Sequence, residues 1–163
     1  MRRRDREVTD ANEIEYILEN GMTLHLGLVD NGKPYVVPMN YGYEFQNGRL
    51  VFYVHGALEG RKLDVIRACP DCCAQIDCDA KLFEGKVACQ YGCSYYSLMG
   101  FGKAEIVNDV NEKMHGLTVL MKTQSKKDFE FNEKLVSVVS VIKIECEGYT
   151  AKHRPMPVAA AKE

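Results

Sequence analysis

Tyr53-Val54-His55-Gly56-Ala57-Leu58-Glu59-Gly60-Arg61-Lys62 places a histidine, a small-residue turn and two adjacent cations within one short stretch. It reads as a strand that delivers His55 into a turn, followed by a helix that opens with Arg61 and Lys62. A helix N-terminus presents unpaired N–H groups and partial positive charge, so an anion settles there readily. A guanidinium and an ammonium at the same point suit a phosphate through charge-assisted hydrogen bonds. The same pair is elsewhere often just a solvated helix start, so the motif gains weight only in company. Its company is Pro34-Tyr35-Val36-Val37-Pro38-Met39-Asn40-Tyr41, a second strand with polar and aromatic groups able to meet a flat ring. The Asn40 amide can donate to and accept from the polar edge of such a ring, or simply cap a bulge. Together the two strands point to a phosphate-bearing aromatic cofactor.

Other reactive residues are less organised. His25 sits in an apolar strand and reads as structural; His115 and His153 have no partner at a recognisable spacing. The seven cysteines, Cys69, Cys72, Cys73, Cys78, Cys89, Cys93 and Cys146, include one CxxC but no second. Neighbouring strand residues point to opposite faces, which separates Cys72 from Cys73. Structural thiols are therefore expected, with no metal site and no disulfide framework. No GxGxxG follows a strand, and neither GxSxG nor a P-loop motif occurs, which argues against a Rossmann site, a hydrolase elbow or a nucleotide-phosphate loop.

The elements that must position His55 and Asn40 can be read from capping and periodicity. Asp10-Ala11-Asn12-Glu13 opens a helix near residues 10–20, with Ile14, Ile17 and Leu18 on one face and Gly21 as its stop. Strands follow at Met22–Val29, Pro34–Phe45 and Leu50–His55, joined by turns at Asn31-Gly32 and Asn47-Gly48. A helix over Leu58–Ala68 ends before Cys69-Pro70. Strands are expected at Cys72–Asp77 and Tyr95–Val107, where Gly100 and Gly102 mark a bulge or a close backbone approach. Asp109-Val110-Asn111-Glu112 caps another helix, with Val110, Met114, Leu117, Leu120 and Met121 as its buried stripe. Leu135–Cys146 reads as the last strand, central in its sheet because it is apolar on both faces. Phe129 and Phe131 alternate as in an extended segment that either packs in the core or reaches a second subunit. The fold class is mainly β with helices (α+β), an antiparallel barrel of six to seven strands.

At 163 residues, 46% hydrophobic and 27% charged, the chain suits one domain over residues 1–150 with a flexible tail at 151–163. A net charge of −2 provides no general attraction to nucleic acid or to an anionic membrane. The basic start Arg2-Arg3-Arg4 reads as a solvated or ion-paired edge. No apolar leader or membrane-length run appears, so a cytoplasmic location is expected.

Four stretches in this order resemble the FMN-binding split-barrel family of pyridoxamine 5′-phosphate oxidase type, most closely its nitroimidazole-resistance (Nim-type) flavoproteins. They are Met1-Arg-Arg-Arg-Asp-Arg-Glu7, Tyr35 to Tyr43, Val51 to Lys62, and Tyr96-Ser-Leu-Met-Gly-Phe-Gly-Lys-Ala-Glu105. The resemblance implies a split barrel that binds FMN at the interface of a homodimer. It places the phosphate on Arg61 and Lys62 and the ring against Pro38, Met39, Asn40 and Tyr41 and the strand of Tyr53, Val54 and His55. Ser97 is implied near the cofactor or the partner subunit. His55 matches the histidine on the substrate side of the flavin, where an imidazole can donate a hydrogen bond or a proton. The implied activity is reduction of a small electron acceptor such as a nitroaromatic. Two other classes fit the same fold: a flavin carrier or sensor without turnover, and a haem-binding barrel with His25, His55 or His153 as axial ligand. Two departures stand out, Gly56 where the family commonly has serine, and Thr150-Ala151-Lys152 where it commonly has threonine-glycine-lysine.

Overall fold

The computed structural model describes residues 2–157. Two-residue strand β1 (Glu7–Val8) precedes helix α1 (Ala11–Asn20), and both expected capping signals there act locally. The Asp10 carboxylate accepts from the N–H groups of Asn12 and Glu13, satisfying two donors that the helix cannot. Gly21 ends the helix with ordinary extended dihedrals, so left-handed freedom is not its purpose. A Cβ there would lie 2.7 Å from the Tyr41 hydroxyl. Space is what that glycine supplies.

Strands β2 (Leu24–Asp30) and β3 (Lys33–Met39) form a hairpin through Asn31 and Gly32, both at positive φ, as a primed turn requires. Strands β4 (Tyr41–Gln46) and β5 (Arg49–Gly56) repeat the device with Asn47 and Gly48. The single long strand expected over Pro34–Phe45 is thus two strands, broken at Asn40. Helix α2 (Arg61–Ala68) starts three residues later than Leu58, because Gly60, at φ 138°, is its N-cap. Strands β6 (Asp71–Phe83) and β7 (Gly92–Ile106) form a long hairpin that runs beyond both expected strands. Helix α3 (Val110–Ser125) is capped by the Asp109 carboxylate on the N–H of Glu112.

The last expected strand shifts. Residues 133–136 form a short helix, α4 (Glu133–Val136), capped by Asn132, and the strand β8 runs from Ser140 to Arg154. Residues 151–154, expected as the start of a tail, therefore belong to the sheet. Ala151 is buried between Leu98 of β7 and Val8 of β1, which holds the chain in register. Residues 158–163 of the expected tail lie outside the described residues.

All pairings are antiparallel, in the order β3-β2-β6-β7-β8-β5-β4, with β1 added to β8. The two ends of this order, β3 and β4, are consecutive in the chain and meet at Asn40. The sheet therefore curls until its edges share a corner without hydrogen-bonding to each other. That is a split barrel. β8 is central, as expected, between β7 and β5.

Inside the curl, Leu24, Leu26, Phe52, Val54, Ile76, Leu98, Ile142 and Ile144 are buried together with Ile17 and Leu18 of α1 and Leu63 of α2. Each such side chain contributes about 1.5–3 kcal/mol by leaving water. A second, smaller core lies on the outer face, where Val51, Tyr53 and Val141 pack beneath Leu117 of α3. The expected glycine role at Gly102 holds: a Cβ there would overlap the Glu145 carbonyl, at the bulge between β7 and β8.

Candidate functional site

Alternation along β5 decides where His55 goes. Leu50, Phe52 and Val54 point into the barrel, whereas Val51 and Tyr53 point outward beneath α3. His55 continues the outward set one step beyond the helix and is exposed. On one side it pairs with Val141 of β8. On the other, the register Tyr41↔Val54, carried one residue further, sets Asn40 beside it.

Asn40 is held from α3. The Gln124 side chain donates its Nε2 to the Tyr41 carbonyl at 2.7 Å and accepts from the Asn40 Nδ2 at 3.3 Å. This residue was not anticipated from the sequence. Its signal was available: Gln124 lies four positions after Leu120 and seven after Leu117, a polar residue on an apolar helical stripe.

Beyond His55, the chain turns through Ala57–Gly60 into α2. Gly60 has no side-chain cap to offer, and its carbonyl serves Leu63 and Asp64 at 2.9 and 3.3 Å. Among the described residues nothing takes up the N–H groups of Arg61 and Lys62. Lys62 folds back from this open end over Gly56, with Cε and Nζ both 2.7 Å from where a Cβ on residue 56 would stand. The glycine that departs from the family pattern is the one that leaves room for the ammonium. Arg61 turns the other way. Its guanidinium pairs with Asp30 at 2.8 Å and lies 4.4 Å over the Tyr35 ring.

The structure thus gathers Asn40, His55, Gly56 and Lys62 at one end of β5, with Pro38 exposed and Met39 half-buried on the adjoining β3. Three expected contacts are otherwise engaged. The Tyr41 ring is fully buried, and its hydroxyl donates to the carbonyls of Leu18 and Gly21 at 2.7 and 3.0 Å. Val54 lies wholly in the main core. Tyr53 fills the second core, edge-on to His115 at 5.5 Å, and burial pushes its phenol pKa up. The side chains of Tyr41, Tyr53 and Val54 are thus closed to a ring, and their main chains are paired in the β4–β5–β8 ladder, with the Tyr41 carbonyl also accepting from Gln124.

Ser97 is not brought near within this chain. It pairs with Asp77 and Lys152, whereas the end of β7 that adjoins His55's neighbours is Ile106. Nine residues of strand separate them, roughly 30 Å. The three remaining histidines lie on other elements. His115, which has no partner at a recognisable spacing in the sequence, contacts Glu44 of β4 at 2.9 Å, across 71 residues. His153 stacks on Tyr96 at 3.7 Å with Glu13 3.9 Å away. His25 is in the strand expected for it, on the exposed face of β2. A groove of about 410 Å³ between α1, α3 and β4 is lined by Glu15, Glu19, Tyr43 and Lys122 and does not reach His55.

All seven cysteines are free thiols, and no group of three or more potential metal ligands occurs among the described residues. Cys72 and Cys146 flank Gly102 on neighbouring strands, and burial pushes both thiols up to about 12. Cys89 is exposed. Alkylation of the native protein at pH 8 is expected to modify Cys89 first and to spare Cys72 and Cys146 until unfolding, as peptide mass mapping would read. In the unfolded chain these two thiols ionise near 9, from the same ordinary value that burial raises. They hold more protons folded than unfolded between pH 9 and 12, so their contribution to stability is complete below 9 and declines across that window.

Among the described residues no helix is long and apolar enough to cross a membrane. No curated protein matches the sequence. A solved structure from Bacteroides thetaiotaomicron, assigned to 5-nitroimidazole antibiotic resistance, is 31% identical, covering 90% of this chain and 86% of that one with a TM-score of 0.77. The flavocytochrome Anf3 from Azotobacter vinelandii shares the fold at 22% identity and TM-score 0.77, over 96% of this chain and 73% of that one. So does an FAD and heme binding protein from Mycobacterium smegmatis, at 15% identity and TM-score 0.77, over 95% and 77% of the two chains. The family model for pyridoxamine 5′-phosphate oxidase matches residues 10–153. With that match over most of its length and a split barrel to carry it, the chain belongs to the pyridoxamine 5′-phosphate oxidase family.

Proposed function

We propose that this chain is an FMN-dependent oxidoreductase that passes electrons to a small acceptor of nitroaromatic type. The observation that carries the reading is the Lys62 ammonium folded over Gly56, at an open helix N-terminus and one residue from an exposed His55. A phosphate fits that donor set, with two N–H groups that have no partner among the described residues and an ammonium lying over Gly56. The likeness to the Bacteroides resistance protein supports the choice of acceptor.

Bound FMN, once reduced by an external two-electron donor, would supply the electrons. The chain's own residues do the rest. Lys62 and the first turn of α2 hold the phosphate. Arg61, committed to Asp30 and Tyr35, steadies the start of α2 against the β2–β3 turn. Asn40 meets the ring's polar edge. His55 holds a proton at its imidazole for an acceptor oxygen and orients it by hydrogen bonding. Ser97, about 30 Å from this end within one chain, would enter from the second protomer of a homodimer with FMN at the interface. No role for nucleic acid or membrane is part of this reading, and the proposed compartment is the cytoplasm.

The test is a visible spectrum of freshly purified protein, then titration with FMN and turnover of a 5-nitroimidazole under reducing conditions. A bound flavin is expected, with His55→Ala lowering turnover about a hundredfold while leaving FMN affinity near wild type. Unchanged turnover in that variant removes the catalytic role of His55. Flavin binding without turnover of any acceptor makes the protein a carrier or sensor, and a Soret band in place of flavin makes it a haem protein.

A further inference from the structure

We infer that Gln124 fixes the direction of the Asn40 amide, so that the site presents an oxygen acceptor and selects a ring edge bearing an N–H. This rests on the FMN reading above and sharpens it. A carbonyl oxygen can only accept, so the atom of Gln124 that lies 2.7 Å from the Tyr41 carbonyl must be its amide nitrogen. That choice places the Gln124 oxygen on the Asn40 side, where it accepts from Nδ2 at 3.3 Å. If Asn40 turned over, two carbonyl oxygens would face each other. The amide of an exposed asparagine ordinarily flips freely between its two orientations; this one has a reason not to.

The consequence is a polarity. Asn40 Oδ1 has no partner among the described residues, its Nδ2 being the atom turned toward Gln124. Asn40 occupies the single residue between β3 and β4, where the barrel is split, and the β4–β5 register, extended one residue past Tyr41, puts it beside His55. Held this way, the amide offers its oxygen together with its second Nδ2 hydrogen, so a complementary ligand edge brings a donor beside an acceptor. The oxidised flavin ring carries one imide N–H between two carbonyls, and that group matches the oxygen as a lone carbonyl edge does not. Gln124 is thereby a positioning residue, and Asn40 the group that reads the ring.

The experiment compares FMN with an FMN analogue methylated at the imide nitrogen, each titrated by flavin fluorescence into wild type, Asn40→Ala and Gln124→Met. Wild type is expected to bind the methylated analogue about tenfold more weakly than FMN. The ratio of affinities should fall to near one in Asn40→Ala and shrink in Gln124→Met, where the amide is free to turn. General damage to the fold would weaken both ligands alike and leave the ratio where it was. A full ratio in Asn40→Ala, a wild-type ratio in Gln124→Met, or no discrimination by wild type overturns the inference while leaving FMN binding intact. Failure of folded wild type to bind FMN at all overturns the inference and the underlying reading together.

Discussion

Replacing Lys62 with glutamate is expected to weaken FMN binding by about a hundredfold, roughly 3 kcal/mol. The ammonium sits over Gly56 at a helix start whose first N–H groups are open. A charge-assisted hydrogen bond to phosphate is lost, and a carboxylate is set where the helix and any bound phosphate both disfavour it. Arg61 cannot easily substitute, because its guanidinium is already paired with Asp30 and stacked on Tyr35. Titration with riboflavin is the decisive control. Lacking the phosphate, it should bind wild type and Lys62→Glu alike; an equal loss for both flavins would assign Lys62 some other role.

The second large effect concerns stability. Gly42 of β4 lies directly beneath α3, and a Cβ there would overlap the Leu120 backbone and come within 2.6 Å of the Val119 carbonyl carbon. The obstructing atoms are main chain, so no side chain can swing aside to relieve the clash. Gly42→Ala must push α3 away from the sheet. The helix carries Leu117 of the second core, the His115 contact to Glu44, and Gln124. We expect a loss of roughly 3 kcal/mol, or about 6–12 °C in melting temperature for a chain of this size. Flavin affinity should fall as well, because the clamp on Asn40 moves with the helix. A melting temperature unchanged by Gly42→Ala would mean that α3 is not seated as the structure shows.

Much of the fold is written in short-range signals. Asn31-Gly32 and Asn47-Gly48 turn the chain because these residues tolerate positive φ. Asp10 and Asp109 start helices because a carboxylate reaches back to open N–H groups. The paired Gly100 and Gly102 announced the crowded crossing on β8. The errors came where local pattern and pairing disagree. Pro34–Phe45 alternates without interruption, yet β3 and β4 take opposite ends of the sheet order, so the chain must break between them. Leu135 and Val136 look β-prone but follow an Asn132 cap that bends them into α4.

By itself the sequence determined the family, the barrel class, the basic start of α2 and the emergence of His55 at the end of β5. Each depends on residues within one turn or one strand of each other, where steric and hydrogen-bonding preferences act directly. Only the tertiary structure decided which side chains remain free to meet a ligand. Tyr41 is taken by carbonyls about 20 residues back, and Tyr53 is covered by a helix far along the chain. Arg61 is claimed by Asp30, Asn40 is turned by Gln124 across 84 residues, and Ser97 is carried to the opposite end of the barrel. Those assignments depend on strand register and helix packing, which no local spacing encodes, because they are settled only when distant segments compete for the same partners.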